Sequence, residues 1–238
     1  MKKLFILFIL FSFLFVSCND EPEPEPEVIR AYCFLYHFIP EHGSVLWEVD
    51  ESALPEEQLY ATQFSGAVVL ESASEEISFT VKHSGTHEVL VSQLFQLEQD
   101  KYYNVIVRGS SEDPTLLIRE IDTSHPGAGQ VKFQILHSIA GQGPIDVYMG
   151  GNTVDNRGVS ELPYLSLSTP FEVKDYDARA AISVTAHSEE YNQDSVLLTS
   201  IYNELITTGA NYLSVVAPHT YYPTDTSLTF WLYELPLE

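Results

Sequence analysis

The chain has 238 residues, 34 Asp+Glu against 11 Lys+Arg, and a formal charge of −23 at pH 7. So acidic a chain repels phosphate backbones and anionic lipid surfaces, which excludes nucleic acid as a natural partner. A hydrophobic content of 45% excludes a disordered chain, and two cysteines, Cys18 and Cys33, are too few for a disulfide framework or a cysteine-based metal site.

At the N-terminus Lys2 and Lys3 precede an apolar run, Leu4 to Val16, broken only by Ser12. Ser17, Cys18 and the acidic, proline-spaced NDEPEPEPE follow. The run is too short for a bilayer that needs about 20 residues, so it predicts a cleaved signal over 1–17. Leu14-Phe15-Val16-Ser17-Cys18 resembles the lipobox of bacterial lipoproteins, with Phe15 where Leu is commoner. The expectation is a lipid on Cys18 as the membrane partner, because two or more acyl chains give stable anchoring. That places the protein in the cell envelope, at the outer membrane, facing the surface or the periplasm. Cleavage removes Lys2 and Lys3, which takes the formal charge to −25. Residues 18–28, with alternating Glu and Pro, predict an extended, self-repelling stalk.

Folded sequence is predicted from Ile29. YHFIPEHGSVLWEV at 36–49 lines up without a gap on LHSIAGQGPIDVYM at 136–149, so His37 meets His137, Ile39 meets Ile139 and Gly43 meets Gly143. Further on, Ile77–Val81 matches Ile182–Ala186, Tyr103-Asn104-Val105 matches Tyr212-Leu213-Ser214, and Leu116-Leu117-Ile118 matches Leu228-Thr229-Phe230. The shared order predicts two related domains, 29–124 and 128–238, each with its own core. The seam falls in the turn-forming Ser124-His125-Pro126-Gly127.

Each half reads as all-β. Alternation is plain in Val131-Lys132-Phe133-Gln134-Ile135, and the same parity turns Cys33 inward as a small hydrophobe. Further strands are predicted at 66–71, 76–82, 87–93, 102–108 and 115–121. The second half gives 145–149, 170–174, 180–187, 195–201, 211–217 and 227–233. Segments near 54–60 and 199–206 read as short helical turns. Six or seven strands per hundred residues predicts two tandem Ig-like antiparallel β-sandwiches.

The second half resembles domain-of-unknown-function family 4397, exported bacterial β-sandwich lipoproteins. The resemblance rests on VKFQILHSIAGQGPIDVYMGG at 131–151, LPYLSL at 162–167, AAISVTAHS at 180–188 and GANYLSVVAP at 209–218. Ser138-Ile139-Ala140 departs from the family's usual Ala-Ser-Pro after the histidine, and the first half matches mainly at 36–49. The resemblance implies a sandwich fold and an envelope location, and no catalytic residue.

His37 and His137 are the best-placed repeated polar residues. Strand parity turns both inward, as structural histidines orienting the turn that follows. Asp146 is placed on the outward face beside Tyr148. The loop after it, with Asn152, Asp155 and Asn156, offers oxygens but lacks EF-hand spacing, and Arg157 competes as a counter-ion. Asp175 and Asp177, around Tyr176, read as a turn. No GxSxG, HExxH or phosphate loop occurs, so no catalytic set, metal or cofactor is expected. Tyr191, Tyr221 and Tyr222 are candidates for an aromatic recognition surface. The leading expectation is a non-enzymatic envelope lipoprotein that binds a surface component, protein or glycan. The alternative is a carbohydrate-binding accessory lipoprotein, and third comes a hydrolase.

Overall fold

A computed structural model of the chain describes residues 28–62, 66–72, 74, 76–151, 154–189, 195–200, 205–219 and 227–237. The signal, Cys18 and most of the linker lie outside the described residues, as do Tyr191, Tyr221 and Tyr222. The fold is all-β. The first half holds β1 (Ile29–Phe38), β2 (Ser44–Val49), β3 (Ser52–Ala53), β4 (Gln58–Leu59), β5 (Val68–Ser72), β6 (Glu76–His83), β7 (Val89–Gln96), β8 (Tyr102–Gly109) and β9 (Pro114–Glu120). The second holds β10 (Gln130–His137), β11 (Ile145–Met149), β12 (Arg157–Leu162), β13 (Phe171–Lys174), α1 (Asp175–Ala180), β14 (Ile182–Ala186), β15 (Val196–Ser200), β16 (Asn211–Pro218) and β17 (Leu228–Leu235).

Among the described residues four sheets result, ordered β5-β1-β8-β9, β3-β2-β6-β7, β13-β10-β16-β17 and β12-β11-β14-β15, with β4 pairing β2. The halves repeat one topology. In each, the first strand lies between an antiparallel edge strand and a parallel partner that hairpins into the last strand. Cys33 pairs with Tyr103 as Phe133 pairs with Tyr212. Each tyrosine hydroxyl then accepts a backbone N–H five residues upstream, from Glu98 at 3.1 Å and from Thr207 at 2.8 Å. That is the corner-tying tyrosine of Ig-type sandwiches.

Register corrects two of the sequence matches. Val147 pairs with Val184 as Trp47 pairs with Val81, so Phe79, not Ile77, is the counterpart of Ile182. In the same way Val216 pairs with Phe230 as Val107 pairs with Leu116, so Leu116 answers Phe230. Both shifts are two residues, which the period-2 pattern cannot detect because the inward face is unchanged.

Alternate residues of facing sheets fill one core per half. Cys33, Trp47, Phe79 and Val105 are buried in the first, and Phe133, Val147, Val184 and Phe230 in the second. The Cys33 thiol is pushed up to about 12 by burial, consistent with an inert small hydrophobe. A third core joins the halves. Tyr36, Phe38, Ile106 and Leu117, on the far face of the first sheet, pack with Leu136, Leu213, Val215 and Ala217 of the third. Tyr60 Oη donates to Pro218 O at 3.0 Å and Tyr233 Oη to Ala61 O at 2.8 Å, tying one half to the other. Sequence reading missed this layer. The seam is pinned as well: Lys132 Nζ meets Asp122 Oδ2 at 2.9 Å and Ser124 O at 2.7 Å.

Three local expectations are corrected. Residues 58–59 form a bridging strand, where Gln58 is buried and bonded to Trp47, Leu35 O and Thr62 O. Asp175 and Asp177 lie in the first turn of α1, where carboxylates suit the exposed N–H groups. In the Gly/Asn-rich stretch after Met149, where residues 152 and 153 lie outside the described residues, Val154–Asn156 form a 3-10 turn that leads into β12.

Candidate functional site

His37 and His137 are both fully buried at the ends of β1 and β10. His137 Nδ1 accepts Ile139 N–H at 3.2 Å, so Nε2 carries the proton and donates to Gly143 O at 3.1 Å. The ring thereby fixes the turn into β11. His37 has no such pair: among the described residues neither nitrogen meets hydrogen-bond geometry. Burial drives its pKa down to about 3, so the ring stays neutral, packed edge-on to Tyr60.

Asp146 shares the face of Tyr148, away from the sandwich core, but has no exposed surface, which corrects its reading as an outward residue. A bulge explains it. Ile145 pairs with Leu162 and Val147 with Val159, so Ser160 and Glu161 both oppose Asp146. Glu161 adopts φ +52°, and its N–H turns to Asp146 Oδ1 at 2.8 Å. His187 Nδ1 lies 2.8 Å from the same oxygen, Ser188 N donates to Oδ2 at 3.3 Å, and Arg157 Nη1 stands 3.8 Å away. Against the cost of burial, these donors hold the carboxyl below its usual range. Arg157 is itself clamped, donating to Ser188 O and Glu189 O and lying 5.3 Å over the Tyr148 ring. Arg157 does serve as an internal counter-ion, but to Asp146. His187 carried no motif; its only signal was a histidine just past a strand that pairs with Asp146's strand.

Beside this clamp the edges of β12 and β13 part around a cleft of about 330 Å³. Its polar lining includes Asp155, Asn156, Arg157, Glu172, Lys174 and Asp177, and Phe171 and Met149 supply apolar surface. Gly158 makes room for it: a Cβ there would stand 2.4 Å from the Phe171 ring. Gly150, at φ +85°, lets α1 approach so closely that a Cβ would meet Asp177 Cβ at 2.6 Å. Thus Asp155 and Asp177, read as turn residues, meet in one cleft, whereas His37, His137 and Asp146 lie outside it. Among the described residues no group of three or more His, Cys, Asp or Glu is arranged to hold a metal.

Fold and site together define a β-sandwich protein with a polar cleft at an open sheet edge. Residues 31–148 match the family described as domain of unknown function DUF4397, and through that stretch the chain belongs to it. The match runs from β1 to β11. It takes in the whole first half, where the sequence resemblance was thinner, and stops before β12. No curated protein matches the chain. Ten chains of solved structures do. One is a family-26 carbohydrate-binding module from Eubacterium rectale in complex with maltoheptaose, at 11% identity over 88% of this chain and 99% of its own. The TM-score of that match is 0.26.

Proposed function

We propose that the protein is a non-enzymatic binding lipoprotein of a bacterial envelope, anchored through Cys18 and held off the membrane by the Glu/Pro stalk. The observation that carries the binding reading is where the polar groups go. His137 and Asp146 are bonded to the protein's own groups, and His37 is sealed in. The cleft gathers side chains of both charges at a solvent-facing edge. Histidine-based acid–base chemistry needs the ring beside the bound substrate, and the buried histidines stand outside the cleft. The anchor rests on the short apolar run ending in Val16-Ser17-Cys18.

Three measurements test the reading. Cys18→Ser should move the protein from the membrane fraction to the soluble one, and a processed variant that stays membrane-bound would sink the anchor. Protease treatment of whole cells separates a surface location from a periplasmic one. A broad hydrolase screen of the wild type should be blank; turnover that His137→Asn abolishes without lowering the melting temperature would make the protein an enzyme.

A further inference from the structure

We propose that the cleft between β12 and β13 binds a neutral oligosaccharide. The proposal rests on the binding reading above and gives it a site and a ligand class. The lining decides the chemistry. Three carboxylates, Asp155, Glu172 and Asp177, repel an anion, while Arg157 and Lys174 repel a cation. An apolar ligand would strip water from charged groups with nothing in return. A polyhydroxylated, uncharged ligand suits the mixture, because each hydroxyl both donates to a carboxylate and accepts from a guanidinium, ammonium or amide.

Shape and order agree. At about 330 Å³ the cleft lies at the small end of the roughly 300–1,000 Å³ range of ligand sites, room for a short stretch of sugar rings. Phe171 presents an aromatic surface inside it, and Tyr176, 60% exposed, stands between the lining residues Lys174 and Asp177 with Lys174 Nζ 5.6 Å from its ring centre. Sugar rings stack on such faces through their C–H edges, which leaves the hydroxyls to the charged walls. The walls are set in advance. Arg157 is fixed by Ser188 O, Glu189 O and Tyr148, and Glu172 Oε2 accepts Gly127 N–H at 3.0 Å. Preformed donors and acceptors reduce the ordering cost of binding a flexible ligand.

The test uses the full chain in detergent and an array of neutral oligosaccharides of glucose, mannose, galactose and xylose, followed by calorimetry on any that bind. At least one should bind, and the double variant D155A/D177A should bind it about tenfold more weakly or worse, from lost charge-assisted hydrogen bonds, with at most a small drop in melting temperature from the carboxylate lost at the start of α1. G158L, which crowds the cleft against Phe171, should also weaken binding; if it fails to fold, the double variant decides. An empty array, binding that the double variant leaves untouched, or displacement of the sugar by a free amino acid would each overturn the assignment. Shorter sugars appearing in the incubations would instead overturn the non-enzymatic reading and leave the cleft standing.

Discussion

At the scale of single residues, the buried side chains set how the protein responds to acid. Burial lowers the pKa of His37, to about 3, and also those of His42 and His137. In the unfolded chain each takes up its proton near pH 6.5. As pH falls from there, the unfolded state binds more protons than the folded one and stability declines, by at most about 1.4 kcal/mol per pH unit for each such histidine. Below about pH 4 the depressed carboxyl of Asp146 adds to the loss in the same direction. Denaturant midpoints measured from pH 7 to 4 should therefore fall steadily, and His37→Leu should flatten the slope. An unchanged slope would show that His37 is not held neutral. Asp146→Ala should cost about 2–4 kcal/mol at pH 7, since it strands the N–H groups of Glu161 and Ser188 and the clamped Arg157. Asp146→Asn, which keeps one acceptor oxygen, should cost less, and equal costs would count against the bulge–carboxylate account.

At the scale of elements, the strands were legible because period-2 apolar patterning survives wherever one face meets a core. The runs predicted at 102–108 and 145–149 lie within β8 and on β11. What escaped was whatever depends on contacts distant in sequence. β12 is masked by glycine, asparagine and the bulge at Ser160–Glu161, features that read locally as a loop. The cleft was illegible because its walls come from residues 155–158 and 171–177, whose meeting depends on how two sheet edges part. The tyrosine corners could have been found: Tyr103 and Tyr212 open equivalent strands of the two halves. Three substitutions probe this level. Tyr103→Phe should lower stability by about 1 kcal/mol, the net worth of one hydrogen bond, and Tyr212→Phe by more, because its hydroxyl also donates to Leu205 O at 3.2 Å. Gly150→Ala should cost about 1–3 kcal/mol through its positive φ and the collision with Asp177, and should loosen α1 and the cleft wall with it. If Gly150→Ala is neutral, α1 is not held by that close approach.

At the scale of the whole molecule, the sheets that carry β1 and β10 are covered on both faces, one by their own sandwich and the other by the third core. The sequence held a trace of this. β1 reads IRAYCFLYHF, apolar on both parities, and β16 is buried at every residue from Asn211 to Ala217, the mark of strands with no solvent face. Reading the two halves as tandem units left that second apolar face without an assignment. Its energetic weight follows from the side chains involved. Leu136, Leu213 and Val215 have no exposed surface, and burying each contributes about 1.5–3 kcal/mol relative to leaving it in water. A fragment of residues 128–238 keeps its own core but bares this face. It should retain a β-type circular dichroism spectrum, melt at a lower temperature than the intact chain, and self-associate as its concentration rises. The intact chain should melt in one transition, because losing either half exposes the shared layer of the other. Leu213→Asp in the intact chain places a charge in that layer and should split the melt in two. A fragment as stable as the whole, or a single melt that survives Leu213→Asp, would mean that the halves touch without supporting each other.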